Sequence, residues 1–302
     1  MYDSGKKCLI CHSDQLDYLT KVRDSEKHFV YRCSICGHIQ LNPIPSEEDR
    51  IFYQTNQMGR ITISKDILDD EQLRLKNKVW IDKQVALVKK IIPINKSIFE
   101  IGSGYGWFID EIRKAGYSAD GLELSTEKCM SAKNNLDIQL YNMPYPPPSG
   151  GLPQPLLHSY DVVCIFHVLE HVPDPVDFLK QTKHLLRTNG QVLVEVPNYD
   201  DYMKKICEPY NNFQYLRAHL SYFTPGSLTK VFHDAGFSHI QLFGDQKYGI
   251  LNALRWLHEG KPNLLKYEFD SPAGLEWIDD YYKGELERTL QSYAISALGI
   301  AD

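Results

Sequence analysis

The sequence has 302 residues, of which 43% are hydrophobic and 24% are charged, and these proportions are typical of a globular protein. No apolar run approaches the ~20 residues that cross a bilayer, and residues 1–7 lack the apolar core of a signal peptide, so we expect a cytoplasmic protein with no membrane span. The formal net charge of −6 and the lack of a basic stripe disfavour nucleic acid as a partner.

Residues 1–45, which we call the cysteine head, contain four of the seven cysteines as two Cys-x-x-Cys pairs. Four thiolates at this spacing predict a tetrahedral zinc site, and a segment with little apolar sequence needs such a staple to fold. Because all four ligands would be protein sulfurs, the zinc is expected to be structural. Iron in the same site and a redox-active dithiol are the alternatives. The predicted ligands are Cys8, Cys11, Cys33 and Cys36.

Residues 46–95 are predicted to form a helical linker or lid. Ser46, with Asp49 three residues later, is typical of a helix start. A longer helix is predicted over residues 70–91. Its candidate core residues are Leu73, Val79, Trp80, Val85 and Val88.

Residues 96–243 alternate between apolar strand patterns and amphipathic helix patterns. This alternation predicts a Rossmann-like α/β domain, a parallel sheet with helices on both faces. The predicted strands are 97–100, 118–124, 138–141, 161–166, 191–196 and 237–242, and the predicted helices are 107–115, 125–134, 174–187 and 225–235. The proline-rich stretch 142–155 is expected to be a surface loop.

Residues 244–302 are predicted to form a C-terminal extension with a helix near 276–293. A sheet of this kind should end in an antiparallel strand, and Leu298 to Asp302 stop where that strand would begin. We therefore expect either that the sequence ends before the last strand or that this strand lies elsewhere in the tail.

A glycine turn over residues 102–106 directly follows the first strand of this domain. Glycines there let the backbone turn sharply and approach a ligand, and Glu100 is placed to meet an ammonium group. Glu123, at the end of the next strand, is placed to accept ribose hydroxyls. Together they predict S-adenosylmethionine (SAM) as cofactor, a dinucleotide site or a structural turn being the alternatives. The predicted cofactor contacts are Glu100, Gly102, Ser103, Gly104, Gly106, Glu123, Leu124, Asn142 and His167.

The segment 167–175, His-Val-Leu-Glu-His-Val-Pro-Asp-Pro, follows the fourth strand, where ligands bind in open parallel sheets. A histidine there can act as general base for a hydroxyl acceptor. We name His171 as first candidate and His219, in the later loop, as second, with His167 and Glu170 beside them. The alternative is that these residues only brace their loops. A zinc-protease helix is rejected because the segment starts at a strand end and runs into proline.

The segment 167–175 resembles the signature after the fourth strand of class I SAM-dependent methyltransferases. With Glu100 to Gly106, Glu123 and residues 190–198, the resemblance covers about residues 96–243. Relatives that act on quinone precursors and on the ends of small RNAs bind a divalent metal through Glu-x-x-Glu-His here. This chain has His167 at the first of those positions, so a metal there stays open.

Cys33 to Pro45 resembles the zinc-ribbon head of a bacterial methyltransferase family, and parts of 246–262 resemble its C-terminal region. Members often belong to surface-polysaccharide, lipopolysaccharide or natural-product pathways. The resemblance implies a small-molecule or carbohydrate partner, with a sugar or sugar-derived hydroxyl as acceptor; it implies no particular oligomeric state. The alternatives are a ribosomal RNA base methyltransferase whose ribbon binds RNA, and a non-catalytic SAM-binding protein. The nearly balanced charges of the head favour the small molecule.

Overall fold

The computed structural model describes residues 7–55, 69–147, 151–261 and 274–301. Its helices are α1 (Glu47–Thr55), α2 (Asp70–Ile91), α3 (Trp107–Lys114), α4 (Thr126–Leu136), α5 (Pro175–Thr182), α6 (Tyr202–Ile206), α7 (Glu208–Phe213), α8 (Pro225–Asp234), α9 (Ile250–Glu259) and α10 (Glu276–Arg288). Its strands are β1 (Leu16–Lys21), β2 (Phe29–Cys33), β3 (Ile39–Asn42), β4 (Ser97–Ile101), β5 (Ser118–Glu123), β6 (Tyr141–Asn142), β7 (Tyr160–Phe166), β8 (Leu186–Pro197), β9 (Ser221–Tyr222), β10 (Phe237–Asp245) and β11 (Ala294–Ala301). None of the described helices has the length and apolar character needed to cross a membrane.

The central sheet has seven strands in the order β10-β11-β8-β7-β4-β5-β6. Strands β4 to β8 pair in parallel, whereas β11 is antiparallel to both of its neighbours, β8 and β10. Strand β7 lies near the middle and is buried on both faces, which explains its unbroken apolar sequence. The Rossmann-like fold predicted from the alternating pattern is confirmed.

Helices cover both faces of this sheet. Ile109 and Ile112 of α3 are fully buried with Val88 of α2 on one face, while Leu179 of α5 and Phe232 of α8 are fully buried on the other. Side-chain caps fix where several helices begin. They are Ser46 for α1, Ser125 for α4, Asp174 for α5 and Thr224 for α8.

The antiparallel strand expected at the end of the sheet is present as β11, in the tail. It starts at Ala294, before Leu298, where it was expected to begin, so α10 ends at Arg288 and does not reach residue 293. Its residues are almost all buried because it is inserted between β8 and β10. The sequence pattern extended this helix to residue 293, beyond its true end, because a fully buried strand lacks the alternation that marks a surface strand.

Two further element bounds were wrong. The helix predicted over 174–187 is shorter in the structure: α5 ends at Thr182, and β8 already begins at Leu186. Asn189-Gly190 therefore lies within β8 and does not end the helix. The β7–β8 register shifts between Tyr160 and Val162, so the Asn-Gly pair lies in an irregularity of the strand. Strand β6 is confined to Tyr141–Asn142, because only these residues pair with β5.

The second sheet joins the cysteine head to the larger domain. Its order is β1-β2-β3-β9, and β9 comes from the loop that follows β8. Ile39 pairs with Tyr222 and Gln40 with Ser221, and Leu41 N–H donates to the carbonyl of Leu220 at 2.9 Å. The predicted domain bound at residue 45 thus separates strands that are hydrogen-bonded to each other, and the one at 243 falls within β10.

Candidate functional site

The glycine turn lies between β4 and α3, and its three glycines have positive φ values of 79°, 55° and 74°. A side chain on Gly102 would meet Val168, with the added Cβ 2.5 Å from Cγ2, whereas a Cβ on Gly104 would meet no atom within 4 Å. The N–H groups of Gly102 and Ser103 both donate to the carbonyl of Leu122 at 2.9 Å, which anchors the turn to β5. Gly102 is therefore needed for close packing, while Gly104 leaves the backbone open.

Two adjoining cavities, of about 670 and 330 Å³, lie at the carboxyl ends of β4, β5 and β7. Ligands bind at this edge in open parallel sheets. Glu100 lines the larger cavity, and Glu123 and Leu124 line the smaller one. The residues that line both are Gly102, Gly104, Lys128, His167 and His171. One elongated molecule can therefore reach both carboxylates.

Glu100 is a buried carboxyl group, 5% exposed, whose Oε2 atom has no hydrogen-bond partner. Burial raises the pKa of Glu100 to about 8; a hydrogen bond with Ser103 opposes this, and the nearby Glu123 adds to it. A buried carboxyl group of this kind can ionise only if a cation comes close to its unpaired oxygen. The ammonium group of a methionine moiety would supply one, so the residues fit the amino-acid end of SAM.

Glu123 holds the turn and faces the smaller cavity. Its Oε2 accepts the N–H of Gly104 and its Oε1 accepts the N–H of Ser125, each at 2.9 Å. Each carboxylate oxygen can accept a further hydrogen bond, so ribose hydroxyls remain compatible. Asn142 lies at the edge and donates to the carbonyls of Glu123 and Leu124, both at 3.0 Å; it does not line either cavity.

His167 lies between two buried carboxylates. Its Nδ1 is 3.4 Å from Oε1 of Glu170, and its Nε2 is 3.0 Å from Oε1 of Glu195, an ion-pair contact not aligned as a hydrogen bond. Burial alone would lower the pKa of His167, but the two carboxylates outweigh it and raise the pKa to about 10. Gln84 of α2 donates to the same Glu195 oxygen at 2.9 Å. His167 is therefore a cation at neutral pH.

Glu170 and His171 belong to a short 3₁₀ turn (Leu169–His171), which differs from the α-helix that a zinc protease requires. Burial would raise the pKa of Glu170, yet the hydrogen bond with His167 and the charges of nearby histidines lower it to about 2. His171 Nδ1 lies 2.7 Å from the carbonyl oxygen of Ala218. A carbonyl can only accept, so Nδ1 is the donor in this contact and Nε2 is the ring nitrogen left to face a ligand.

His219 packs against His171 with their ring centroids 5.1 Å apart. Burial, with the charge of His171, lowers the pKa of His219 to about 3, so its imidazole is neutral. Ligand atoms of Glu170, His171 and His219 all lie within 4.8 Å of one another, and Oε2 of Glu170 has no hydrogen-bond partner. One carboxylate and two imidazoles fit a divalent cation.

The four predicted zinc ligands lie together in the head, with their sulfur atoms all within 4.8 Å of one another. The Sγ atoms of Cys8 and Cys36, and those of Cys11 and Cys33, are 3.5 Å apart, too far for a disulfide. Zn–S bonds of about 2.3 Å in a tetrahedron would place sulfurs ~3.8 Å apart, so the cluster fits zinc. Burial raises the pKa of the Cys33 thiol, but the backbone N–H groups of Cys36 and Ile35 outweigh it and lower the pKa to about 7.

Several site residues were missed in the sequence. Trp80, named only as a core candidate, lines the larger cavity and packs edge-on against His167 at 4.7 Å between ring centroids. Glu195 contacts His167 and Gln84 donates to Glu195, while Arg23 and Tyr293 line the cavity from the head and the tail. The unusual signal was a glutamate inside an apolar strand, Glu195; the others depend on distant chain segments that a local pattern does not connect.

The family described as "Methyltransferase domain" matches residues 71–242, more than half of the chain. Among curated proteins, the chain is similar to the ubiquinone biosynthesis O-methyltransferases of Coxiella burnetii, 24% identical over 119 residues, and of Aeromonas salmonicida, 27% identical over 108 residues. These matches cover 39% and 34% of this chain and 48% and 44% of the relatives. The chain thus spans about half the length of the curated relatives it matches.

Two solved structures share the fold. One is a SAM-dependent methyltransferase of Thermotoga maritima, with a TM-score of 0.51, 15% identity, and coverage of 77% of this chain and 94% of that one. The other is magnesium protoporphyrin IX methyltransferase of Synechocystis PCC 6803 with bound S-adenosylhomocysteine, with a TM-score of 0.50, 15% identity, and coverage of 84% and 99%. At these identities the likeness concerns the fold alone.

Proposed function

The chain belongs to the methyltransferase-domain family. From this premise we propose that it is a SAM-dependent methyltransferase and that it methylates a hydroxyl oxygen of a small molecule, a sugar or sugar-derived acceptor. A hydroxyl acceptor is chosen because of His171. Its Nδ1 contacts the Ala218 carbonyl, and its Nε2 is left to face the cavity, where it can accept a proton from a hydroxyl group. The curated relatives, named as O-methyltransferases, support an oxygen acceptor.

The proposed cofactor position follows from the two cavities. Glu100 would hold the amino-acid end of SAM, Glu123 the ribose, and Leu124 with its neighbours in the smaller cavity the adenine. Bound SAM supplies a methyl group on a sulfonium, which is a good leaving group. The chain then has to align the acceptor oxygen with that methyl group, and the part of the larger cavity beyond Glu100 has room for the acceptor.

His171 is the proposed general base. Bound SAM would give its methyl group to the acceptor oxygen and keep the electron pair of the broken bond on its sulfur. Nε2 of His171 would accept the proton that the hydroxyl loses. Glu170 would stabilise the resulting imidazolium, since its pKa is held at about 2 and it stays ionised. His167 cannot accept the proton at neutral pH because it already carries one, and His219 is too weak a base because its pKa is about 3.

A divalent cation at Glu170, His171 and His219 is the second possibility, favoured by the approach of their ligand atoms. When bound, such a cation would acidify the acceptor hydroxyl, and the three side chains would serve as its ligands. The two arrangements differ in what a chelator does. A base needs no metal, whereas a metal site loses activity with a chelator and regains it with an added divalent cation that accepts imidazole ligands, such as Zn²⁺ or Fe²⁺.

The acceptor class is tested by a methyl-transfer screen with labelled SAM. Nucleotide-linked sugars, free oligosaccharides and ribosomal RNA are offered to the full chain, with and without a chelator. Label in a sugar hydroxyl is the expected result. Transfer to RNA alone would overturn the proposal, and a failure to bind SAM at millimolar concentration would argue for a non-catalytic protein.

The base assignment is tested by His171→Ala. Loss of a general base lowers kcat by about 10²- to 10⁴-fold, whereas the affinity for S-adenosylhomocysteine should change little. His233→Ala, which removes a histidine with an 82% exposed side chain, is the matched control. Full activity of His171→Ala would show that His171 is not the base.

A further inference from the structure

The cysteine head forms part of the wall of the larger cavity. The turn between β1 and β2 is fixed to the loop before β9 by two hydrogen bonds, from Arg23 N–H to the carbonyl of Tyr215 at 3.0 Å and from Arg217 N–H to Oδ1 of Asp24 at 2.9 Å. Below this turn, His38 is fully buried and its Nε2 lies 3.2 Å from Oγ of Ser221. The head is therefore held in place against the loop that carries His219.

Arg23 reaches the cavity from this turn. Its guanidinium carbon lies 3.6 Å from the ring centroid of Phe213, and both residues line the cavity with Gln214, Leu216 and His219. Arg23 is exposed, and within the described part of the chain no Asp or Glu forms an ion pair with it. Stacking occupies one face of the guanidinium and leaves its N–H edge available, the edge that binds carboxylate or phosphate in a bidentate manner.

Asp24, the carboxylate next to Arg23 in the chain, accepts the N–H of Arg217 and does not line the cavity. The side chains that line the wall around Arg23 carry positive charge or none. Helix α2, across the cavity, contributes Lys76 and the ring of Trp80, and neither α2 nor the loop before β9 lines the cavity with a carboxylate. The carboxylates of the cavity, Glu100 and Glu170, belong to the strand ends beside the glycine turn. In a chain of net charge −6, two cations and two aromatic rings at one mouth favour an anionic ligand with a flat or apolar part.

We propose that Arg23 binds an anionic group, a phosphate, diphosphate or carboxylate, on the methyl acceptor. This proposal rests on the proposed function, because it takes the outer part of the larger cavity as the acceptor site. The cysteine head then has a role in acceptor selection, because the turn that carries Arg23 belongs to it and is hydrogen-bonded to the loop before β9. The acceptor class becomes a sugar that carries a charge, through a nucleoside diphosphate or through a carboxylate of its own.

The test uses the full zinc-loaded chain in isothermal titrations, with and without saturating S-adenosylhomocysteine. The probes are inorganic pyrophosphate, uridine diphosphate and glucuronate, with glucose as the neutral comparison. Arg23→Gln removes the charge, Arg23→Lys retains it, and Lys21→Gln is the control, because Lys21 lies in the same head, pairs with Glu26 and does not line the cavity. Zinc content and the unfolding midpoint verify that each variant is folded.

We expect at least one anionic probe to bind the unaltered chain more tightly than glucose. Arg23→Gln should weaken that binding by about tenfold or more, the usual effect of losing a charged hydrogen-bonding partner, Arg23→Lys should weaken it less, and Lys21→Gln should leave it unchanged. If Arg23→Gln weakens the binding of pyrophosphate and uridine diphosphate, the acceptor is a nucleotide-linked sugar. If it weakens the binding of glucuronate alone, the acceptor is a sugar acid.

Two results would overturn the proposal: no anion binds better than glucose, or Arg23→Gln binds the anions as well as the unaltered chain. Binding of S-adenosylhomocysteine separates this outcome from a failure of the proposed function. If the chain does not bind S-adenosylhomocysteine, the proposed function fails. The titrations done without S-adenosylhomocysteine still decide whether Arg23 binds anions. If affinity for it is equal in all variants, a change in anion binding cannot come from a damaged cofactor site.

Discussion

The protonation of Glu100 makes cofactor binding dependent on pH. The pKa of Glu100 is about 8, against an ordinary value of 4.5, because the carboxyl group is buried. In the free protein at pH 6 the group is therefore neutral, whereas the ammonium group of the cofactor favours the carboxylate. Binding must then release a proton, and affinity should rise as pH increases from 6 to 8.

The expected magnitude follows from the same pKa. Each pH unit well below the pKa costs about 1.4 kcal/mol, or about tenfold in affinity. Because Glu100 is half ionised at pH 8 and about 1% ionised at pH 6, S-adenosylhomocysteine should bind about 50-fold more tightly at pH 8 than at pH 6. Glu100→Gln should remove this dependence. It should also weaken binding at pH 8 by about 10- to 100-fold, corresponding to the ~1.5–3 kcal/mol of a charged hydrogen bond.

The assay is isothermal titration in two buffers of different ionisation heat, which counts the protons released. Glu285→Gln, with a side chain 43% exposed, is the control and should behave as the unaltered chain. The folded pKa lies above the ordinary one, so the free chain loses stability relative to Glu100→Gln as pH rises from 4.5 through 8. A flat pH profile, or unimpaired binding by Glu100→Gln, would refute this account of Glu100.

Two more predictions concern stability. Cys33→Ser removes a predicted zinc ligand. We expect the zinc content, measured by atomic absorption, to be one per unaltered chain and to fall towards zero in the variant, and methyl transfer to fall with it because the head is paired to the strand beside His219. Retention of zinc would contradict the site. Asp161→Asn weakens contacts from Ser97 N–H at 2.9 Å and Lys96 Nζ at 3.0 Å; burial would raise the pKa of Asp161, but these partners lower it to about 2. The ionised group therefore stabilises the fold above pH 3.8 and loses its effect as pH falls through 2. Urea unfolding should show a loss of about 1–3 kcal/mol at pH 7 that shrinks at pH 3, and a loss independent of pH would exclude this cause.

Local sequence determined the parts of this protein that depend on neighbours in the chain. The glycines at 102, 104 and 106 predicted a sharp turn, and in the structure all three have positive φ. The alternation of strands and helices predicted a parallel sheet. The spacing of the cysteine pairs predicted a cluster, and the structure brings their sulfurs together. In each case the signal is a backbone conformation or a ligand geometry set within a few residues, and tertiary packing only had to agree with it.

Tertiary structure decided what depends on distant segments. The sequence placed three histidines at the site and ranked His171 before His219 as the base, but it could not assign their pKa values, because a pKa is set by the groups that pack around the ring. Glu195 from β8 makes His167 a cation, the Ala218 carbonyl orients His171, and burial keeps His219 neutral. The pairing of β3 with β9 and the insertion of β11 between β8 and β10 likewise join residues far apart in the chain. Such contacts leave no periodic trace in the sequence, because they follow from the folded surfaces that the packed elements present to one another.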